Sequence, residues 1–313
     1  MDDLDARLYR SIYRIRRVEE EVARVYPTDK IKSPVHLSIG QEAVAVAVCD
    51  PMRADDVLFG TYRSHAFYLA KGGDLRAMIA ELYGKVTGCA KGKGGSMHLI
   101  DAAHGVMGSS AIVATTIPHA CGYAYAMRYQ KRDRAVVSVF GDGAVEEGAF
   151  HESMNFAMTK RLPVIFVCEN NGYAVNTPFR TRQAKDNVWQ RAASYGMPSD
   201  RVEDGDVHAM RSKIAAALVE LRQGAPGPWF FEFKCYRWKE HVGPNDDWNL
   251  GYRSKDELKP WLEHDAVRTL GAKVADRARI DAEVETEIKD AFEFAERSPE
   301  PPLEDLYEGV TTT

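Results

Sequence analysis

"AVVSVFGDGAVEEG", Ala135–Gly148, decides the fold. Its opening residues are almost all apolar and include three valines, the composition of a strand buried on both faces. The run then stops at Asp142, set between Gly141 and Gly143. A second stretch, "LPVIFVCENNGYAVNTP" (162–178), repeats the design: a buried strand, then Asn170, Asn171 and Gly172. Residues 144–169 put 26 positions between Gly143 and Asn170, room for one helix and one strand. Two parallel strands are predicted side by side, with Asp142 and the asparagines at the same sheet edge. Ligands of parallel sheets sit beyond the carboxyl ends of strands. The glycines let a bulky anion approach the backbone. A carboxylate facing phosphate repels it, so a magnesium or calcium ion between them is predicted. Asp142, an asparagine amide and the Tyr173 carbonyl would supply oxygen ligands. Alone, Asp-Gly or Asn-Asn-Gly reads as a turn; the pair on adjacent strands is more specific.

The rest of the chain supports this frame. Strands are predicted at 56–62, 135–140, 163–169, 200–203 and 228–236. Helices are predicted at 3–26, 40–49, 74–84, 115–131, 145–160, 187–195 and 206–222. Asp74 is the expected N-cap of the helix at 74–84, and Gly84 its stop. Residues 88–101 are Gly-rich and weakly structured. Alternation of this kind argues α/β class: a doubly wound, mostly parallel sheet flanked by helices. A single domain over 1–313 is expected, with a helical N-terminal part (1–50) and a helical tail (255–313) holding helices at 255–271 and 280–297.

The chain has 313 residues, 45% hydrophobic, with net charge −5. That suits a sizeable core and argues against a nucleic-acid surface. No apolar run is long enough for a membrane span, and the acidic start "MDDLDARLYR" resembles no targeting segment. The five cysteines are scattered without a C-x-x-C pair, which points to a reducing cytoplasm rather than a zinc or disulfide framework.

Gly-Asp-Gly followed by Asn-Asn resembles the thiamine-diphosphate motif. More narrowly, the chain resembles the alpha subunit of the decarboxylating component of 2-oxo acid dehydrogenase complexes, of pyruvate, branched-chain or acetoin type. The likeness runs through "HLSIGQEAVAVAV" (36–48), "FGTYRSHAFYLAKG" (59–72), "GKGGSMHL" (92–99), "SSAIVATTIPHACG" (109–122) and "CYRWKEHVGP" (235–244).

The resemblance implies oxidative decarboxylation of a 2-oxo acid, with thiamine diphosphate and magnesium held between two chains. It makes Asp142, Asn171 and the Tyr173 carbonyl the metal ligands. Gly141, Gly143 and Ala144 would cradle the diphosphate at the start of a helix near Val145. Tyr62 and Arg63 would contact the cofactor, and the backbone at Ala111 and Val113 its aminopyrimidine. His241 would touch the diphosphate and assist chemistry; His65, and less so His36, would line the substrate path. A beta subunit, in an α2β2 heterotetramer, would contribute the activating glutamate, and lipoamide, as on a lipoyl acyltransferase, or another acceptor would take the product.

Departures stand at "KSPVH" (32–36) and "GPNDDWNLGYRS" (243–254), both expected at the entrance. The sequence leaves two rival readings open. One is a transketolase-like or aldehyde-transferring enzyme with the same cofactor. The other is a non-catalytic nucleotide-binding module; against it, the first strand-turn lacks G-x-G-x-x-G, and "GCAKGKGG" lacks the Ser or Thr of a phosphate-binding P-loop.

Overall fold

The valine-rich runs form the strands that the pattern predicts. The computed structural model describes residues 4–307. Its strands are β1 (Val57–Phe59), β2 (Val106–Gly108), β3 (Val136–Gly141), β4 (Val164–Asn170), β5 (Tyr173–Ala174), β6 (Thr177–Pro178), β7 (Ser199–Val202) and β8 (Trp229–Lys234). Six of them make one parallel sheet in the order β2-β1-β3-β4-β8-β7. β5 and β6 pair separately as a small antiparallel hairpin.

Side-chain alternation along each strand feeds two cores. Val137 and Val139 of β3, Ile165 and Val167 of β4, and Phe231 and Phe233 of β8 face one layer. That layer contains helices Leu4–Val25, Glu42–Cys49, Leu75–Leu82, Val207–Arg222 and Arg277–Arg297. Val136 and Phe140, Val164 and Phe166, and Phe230 face the other, with helices Thr116–Tyr129, Gly148–Lys160 and Val188–Ser194. Each fully buried Leu, Ile or Phe contributes about 1.5–3 kcal/mol. The sheet is therefore held from both sides, as a doubly wound fold requires.

The N-terminal helix buries Leu8, Ile12, Ile15, Val18 and Val22. Its polar face pairs with the C-terminal helix through Arg10–Glu283 at 2.5 Å, Arg14–Glu287 at 2.7 Å and Arg17–Glu285 at 2.7 Å. The two predicted helical ends thus meet in space. Among the described residues no helix is long and apolar enough to cross a membrane.

Three sequence expectations need correction. The helix predicted from 145 begins at Gly148. Residues Asp142–Glu146 form a tight 3-10 turn instead, and Glu147 is extended (φ −77°, ψ 142°). β1 is shorter than 56–62 because the chain leaves the sheet at Gly60 to enter helix His65–Ala70, which the pattern missed. The predicted 255–271 helix is three pieces, Lys255–Leu258, Lys259–Glu263 and Ala266–Gly271. Pro260 and the capping carboxylate of Asp265, which also binds Arg16 at 3.1 Å, interrupt it. β2 is only three residues long, too short to register as a period.

Candidate active site

The chain runs from β1 out to the edge strand β2 and returns on the other side of β1 as β3. That reversal opens a crevice at the carboxyl ends of the strands. A cavity of about 250 Å³ lies there. Its walls include Tyr62 and Arg63 after β1, Gly141, Asp142, Gly143 and Ala144 after β3, Asn171 and Tyr173 after β4, together with Val113 and His241. Residues from five separate stretches of sequence therefore meet in one place.

Asp142 is 1% exposed. Burial pushes its carboxyl upward, and the adjacent Arg182 guanidinium opposes that. Arg182 bonds Oδ2, and no side chain among the described residues bonds Oδ1. The flanking positions are open: a Cβ at Gly141 would meet nothing within 4 Å, and the same holds at Gly172, whose φ is +82°. At Gly143 a Cβ would press on the Ala174 Cβ at 3.0 Å.

The two asparagines divide their work. Asn170 turns inward: Nδ2 donates to Glu232 at 2.6 Å, and Oδ1 accepts from the Gly172 N–H at 3.0 Å. Asn171 commits Nδ2 to Gln41 Oε1 at 2.9 Å. Its Oδ1 accepts from the Tyr173 N–H at 3.1 Å and keeps a second lone pair. A carboxylate oxygen, an amide oxygen and a backbone carbonyl are hard donors, the set that suits magnesium or calcium. Only one of them carries charge, which leaves room for an anionic ligand to complete the shell.

Arg63 is 5% exposed, and no carboxylate pairs with it among the described residues. Its Nη1 donates to the Leu37 carbonyl at 2.6 Å, and its Nη2 to the His241 carbonyl at 3.0 Å and ring Nδ1 at 3.2 Å. Burial pulls this guanidinium down to about 10, and Arg237 adds repulsion. Because Nδ1 accepts from Arg63, a neutral His241 carries its proton on Nε2. Burial, Arg63 and Arg237 lower His241 to about 3, so the ring is neutral at pH 7. His36, Tyr62 and His241 form a ring cluster, with centroids 4.5, 5.1 and 5.6 Å apart.

The two unusual stretches meet beside this cluster, where the Gly243 N–H donates to the Val35 carbonyl at 2.8 Å. The second is pinned by Asp247, 1% exposed, which accepts from fully buried Arg253 at 2.5 Å and from Tyr252.

Two expected residues stand elsewhere. His65 is fully buried and does not line the cavity; Nδ1 donates to Glu19 at 3.0 Å and Nε2 accepts from Ser96 at 2.7 Å. It ties the glycine loop to the N-terminal helix, away from the cavity lining. Ala111 does not line the cavity either, and its N–H points to His98 Nε2 at 3.4 Å. Glu169 and Arg182 escaped the sequence reading. Burial raises the Glu169 carboxyl to about 7. Its position beside the Asn-Asn pair was the available signal; Arg182 offered none.

The glycine loop within 88–101 is already filled. Glu81, fully buried, accepts from the N–H groups of Gly94 at 2.7 Å, Ala90 at 2.8 Å, Gly92 at 2.9 Å and Gly95 at 3.0 Å. An internal carboxylate takes the place that a phosphate would need. A larger, open groove of about 450 Å³ lies across the Asn171–Tyr173 turn, walled by Phe179, Tyr236 and Trp261, and it contains neither Asp142 nor Arg63.

Residues 10–304 match the family described as dehydrogenase E1 component. The alpha subunit of acetoin:2,6-dichlorophenolindophenol oxidoreductase from Bacillus subtilis is 37% identical, over 97% of this chain and 92% of its own. The alpha subunit of pyruvate dehydrogenase E1 component from Rhizobium meliloti is 36% identical, over 99% and 90%. Among solved structures, transketolase from Leishmania mexicana shares the fold with a TM-score of 0.58 at 15% identity. That likeness covers 92% of this chain and 48% of the transketolase chain.

Proposed function

The chain belongs to the dehydrogenase E1 component family, and from that premise we propose that it is the alpha subunit of a two-chain, thiamine-diphosphate-dependent 2-oxo acid dehydrogenase. The observation that carries this reading is the pairing of charges in one cavity. Among the described residues Arg63 is a buried cation paired with no carboxylate, and Asp142 is a buried acid with one oxygen that no side chain bonds. A diphosphate with a divalent cation satisfies both.

Magnesium would be held by Asp142, Asn171 Oδ1 and the Tyr173 carbonyl. Arg63 would pair with the diphosphate, and a charge-assisted bond of this kind is worth about 1.5–3 kcal/mol. Gly141, Gly143 and Ala144 leave the backbone accessible at the start of the 142–146 turn, where the first N–H groups lack partners within the turn. When bound, thiamine diphosphate supplies the electron sink that lets a 2-oxo acid lose carbon dioxide. This chain's own part is to bind, orient and exclude water. His241 presents an Nε2 proton that stays in place across neutral pH. Tyr62 and Val113 wall the cavity, and the Val113 backbone would meet the aminopyrimidine.

The rim supports a second chain. Ile112 is 68% exposed and Val113 44%, and both border the cavity. Apolar rim residues of this kind suit cover by a protein surface. A beta subunit seated there would close the site and bring the activating glutamate, with lipoamide or another acceptor taking the acyl group. The test is carbon dioxide release from pyruvate and other 2-oxo acids, with ketose phosphates as the contrast. Turnover is expected only with both chains, thiamine diphosphate and magnesium. Full turnover by this chain alone contradicts the two-chain reading.

A further inference from the structure

Arg182 lies outside every motif quoted above, on the short helix Phe179–Arg182 beyond the β5–β6 hairpin. Its side chain is 9% exposed and all three guanidinium nitrogens are engaged. Nε donates to the Thr177 carbonyl at 3.2 Å, Nη1 to Glu146 and Nη2 to Asp142 Oδ2. Asp142 and Glu146 are the first and last residues of the 3-10 turn after β3. One side chain therefore braces both ends of the turn that carries Gly143 and Ala144. The neighbouring Gln183 adds a bond from Nε2 to Glu146 at 2.6 Å.

We propose that Arg182 is a positioning residue for the cation site, holding Asp142 by Oδ2 so that Oδ1 is presented to the metal. This rests on the assignment of Asp142 as a ligand in the proposed function. The physical case is the geometry of a fork. A guanidinium fixed at Nε by a backbone carbonyl cannot swing, so its contact fixes the carboxylate's orientation as well. A carboxylate that ligates with one oxygen and accepts a hydrogen bond with the other is a well-ordered ligand. Glu146, bound to the same fork, gives the brace a second anchor and keeps the turn from opening. Loss of such outer partners costs about 10–100-fold in metal affinity.

The experiment uses the chain assembled with its partner subunit. Binding of Mn2+, as a spectroscopic stand-in for magnesium, is followed by EPR at saturating thiamine diphosphate. Wild type, R182Q, R182K and Q183A are compared. R182Q is expected to weaken Mn2+ binding about 10–100-fold, and R182K to recover part of it by restoring the charge without the fork. Q183A, which keeps the guanidinium, is expected to bind as wild type does. Circular dichroism of the metal-free proteins checks folding; should R182Q not fold, R182K against wild type carries the comparison. Equal or tighter Mn2+ binding in R182Q, or in R182K when it alone is available, overturns the role. A wild-type complex that binds thiamine diphosphate but takes up no Mn2+ removes the metal site, and the role of Arg182 with it.

Discussion

Glu81→Gln tests how the glycine loop is built. The wild-type carboxylate accepts four N–H groups, two on each oxygen, at 2.7–3.0 Å. The amide keeps one acceptor oxygen and turns an NH2 toward the other two donors. Two charge-assisted bonds are lost, each worth about 1.5–3 kcal/mol, for a total of about 3–6 kcal/mol. Unfolding entropy of about 2.1 cal/mol/K per residue converts that, for a chain of this length, to a fall in Tm of roughly 5–9 °C. Gly88→Ala should act in the same direction, since its Cβ would sit 2.3 Å from Glu81 Oε2. The loop also carries Ser96, which bonds His65, which bonds Glu19, whose other oxygen accepts from the Ser38 N–H at 2.8 Å. Scanning calorimetry of the purified protein is the assay. A Tm within 2 °C of wild type for Glu81→Gln would refute the claim that the carboxylate organises the loop.

Asp142→Asn should cost at least about 100-fold in metal-supported cofactor affinity, because the single charged ligand is gone; titration calorimetry with magnesium present checks it. Asp247→Asn leaves fully buried Arg253 without its carboxylate, and breaking such a pair costs about 3–5 kcal/mol. Faster proteolytic cutting within 243–254 is the expected sign, and an unchanged pattern would count against the pinning. The pH dependence follows from His36 and His241, lowered to about 2 and about 3 chiefly by burial. The unfolded rings titrate near 6.5, so below that pH the unfolded chain binds more protons. Their contribution is complete above about 6.5 and is lost as pH falls toward about 3. The His36→Asn, His241→Asn double variant should flatten the acid limb of Tm against pH, and an equally steep limb would exclude these rings as its cause.

The sheet and the position of Asp142 were legible because they depend on local patterns. Valine-rich runs mark β3 and β4, and parallel pairing brings their ends together. The spacing between Gly143 and Asn170 then sufficed to join the acid and the amide. Arg63 was legible through its place after a strand. What stayed hidden depends on tertiary contacts. Nothing in "HAFYLA" says that His65 turns to Glu19 and Ser96 rather than to the cavity. The 255–271 segment has helical composition, but Asp265 is claimed by Arg16 from a distant helix. Glu81 looks like an ordinary helix residue until the glycine loop folds over it. Arg182 is one arginine among many in a polar stretch, and only the fold carries it to Asp142.

Calorimetric titration of the two-chain protein with thiamine diphosphate, with and without magnesium, tests the central claim most directly. The charge arrangement at Arg63 and Asp142 requires saturable binding that depends on the divalent cation, and no comparable heat from NAD or ATP. Cofactor binding indifferent to magnesium, or no binding at all, would contradict the account.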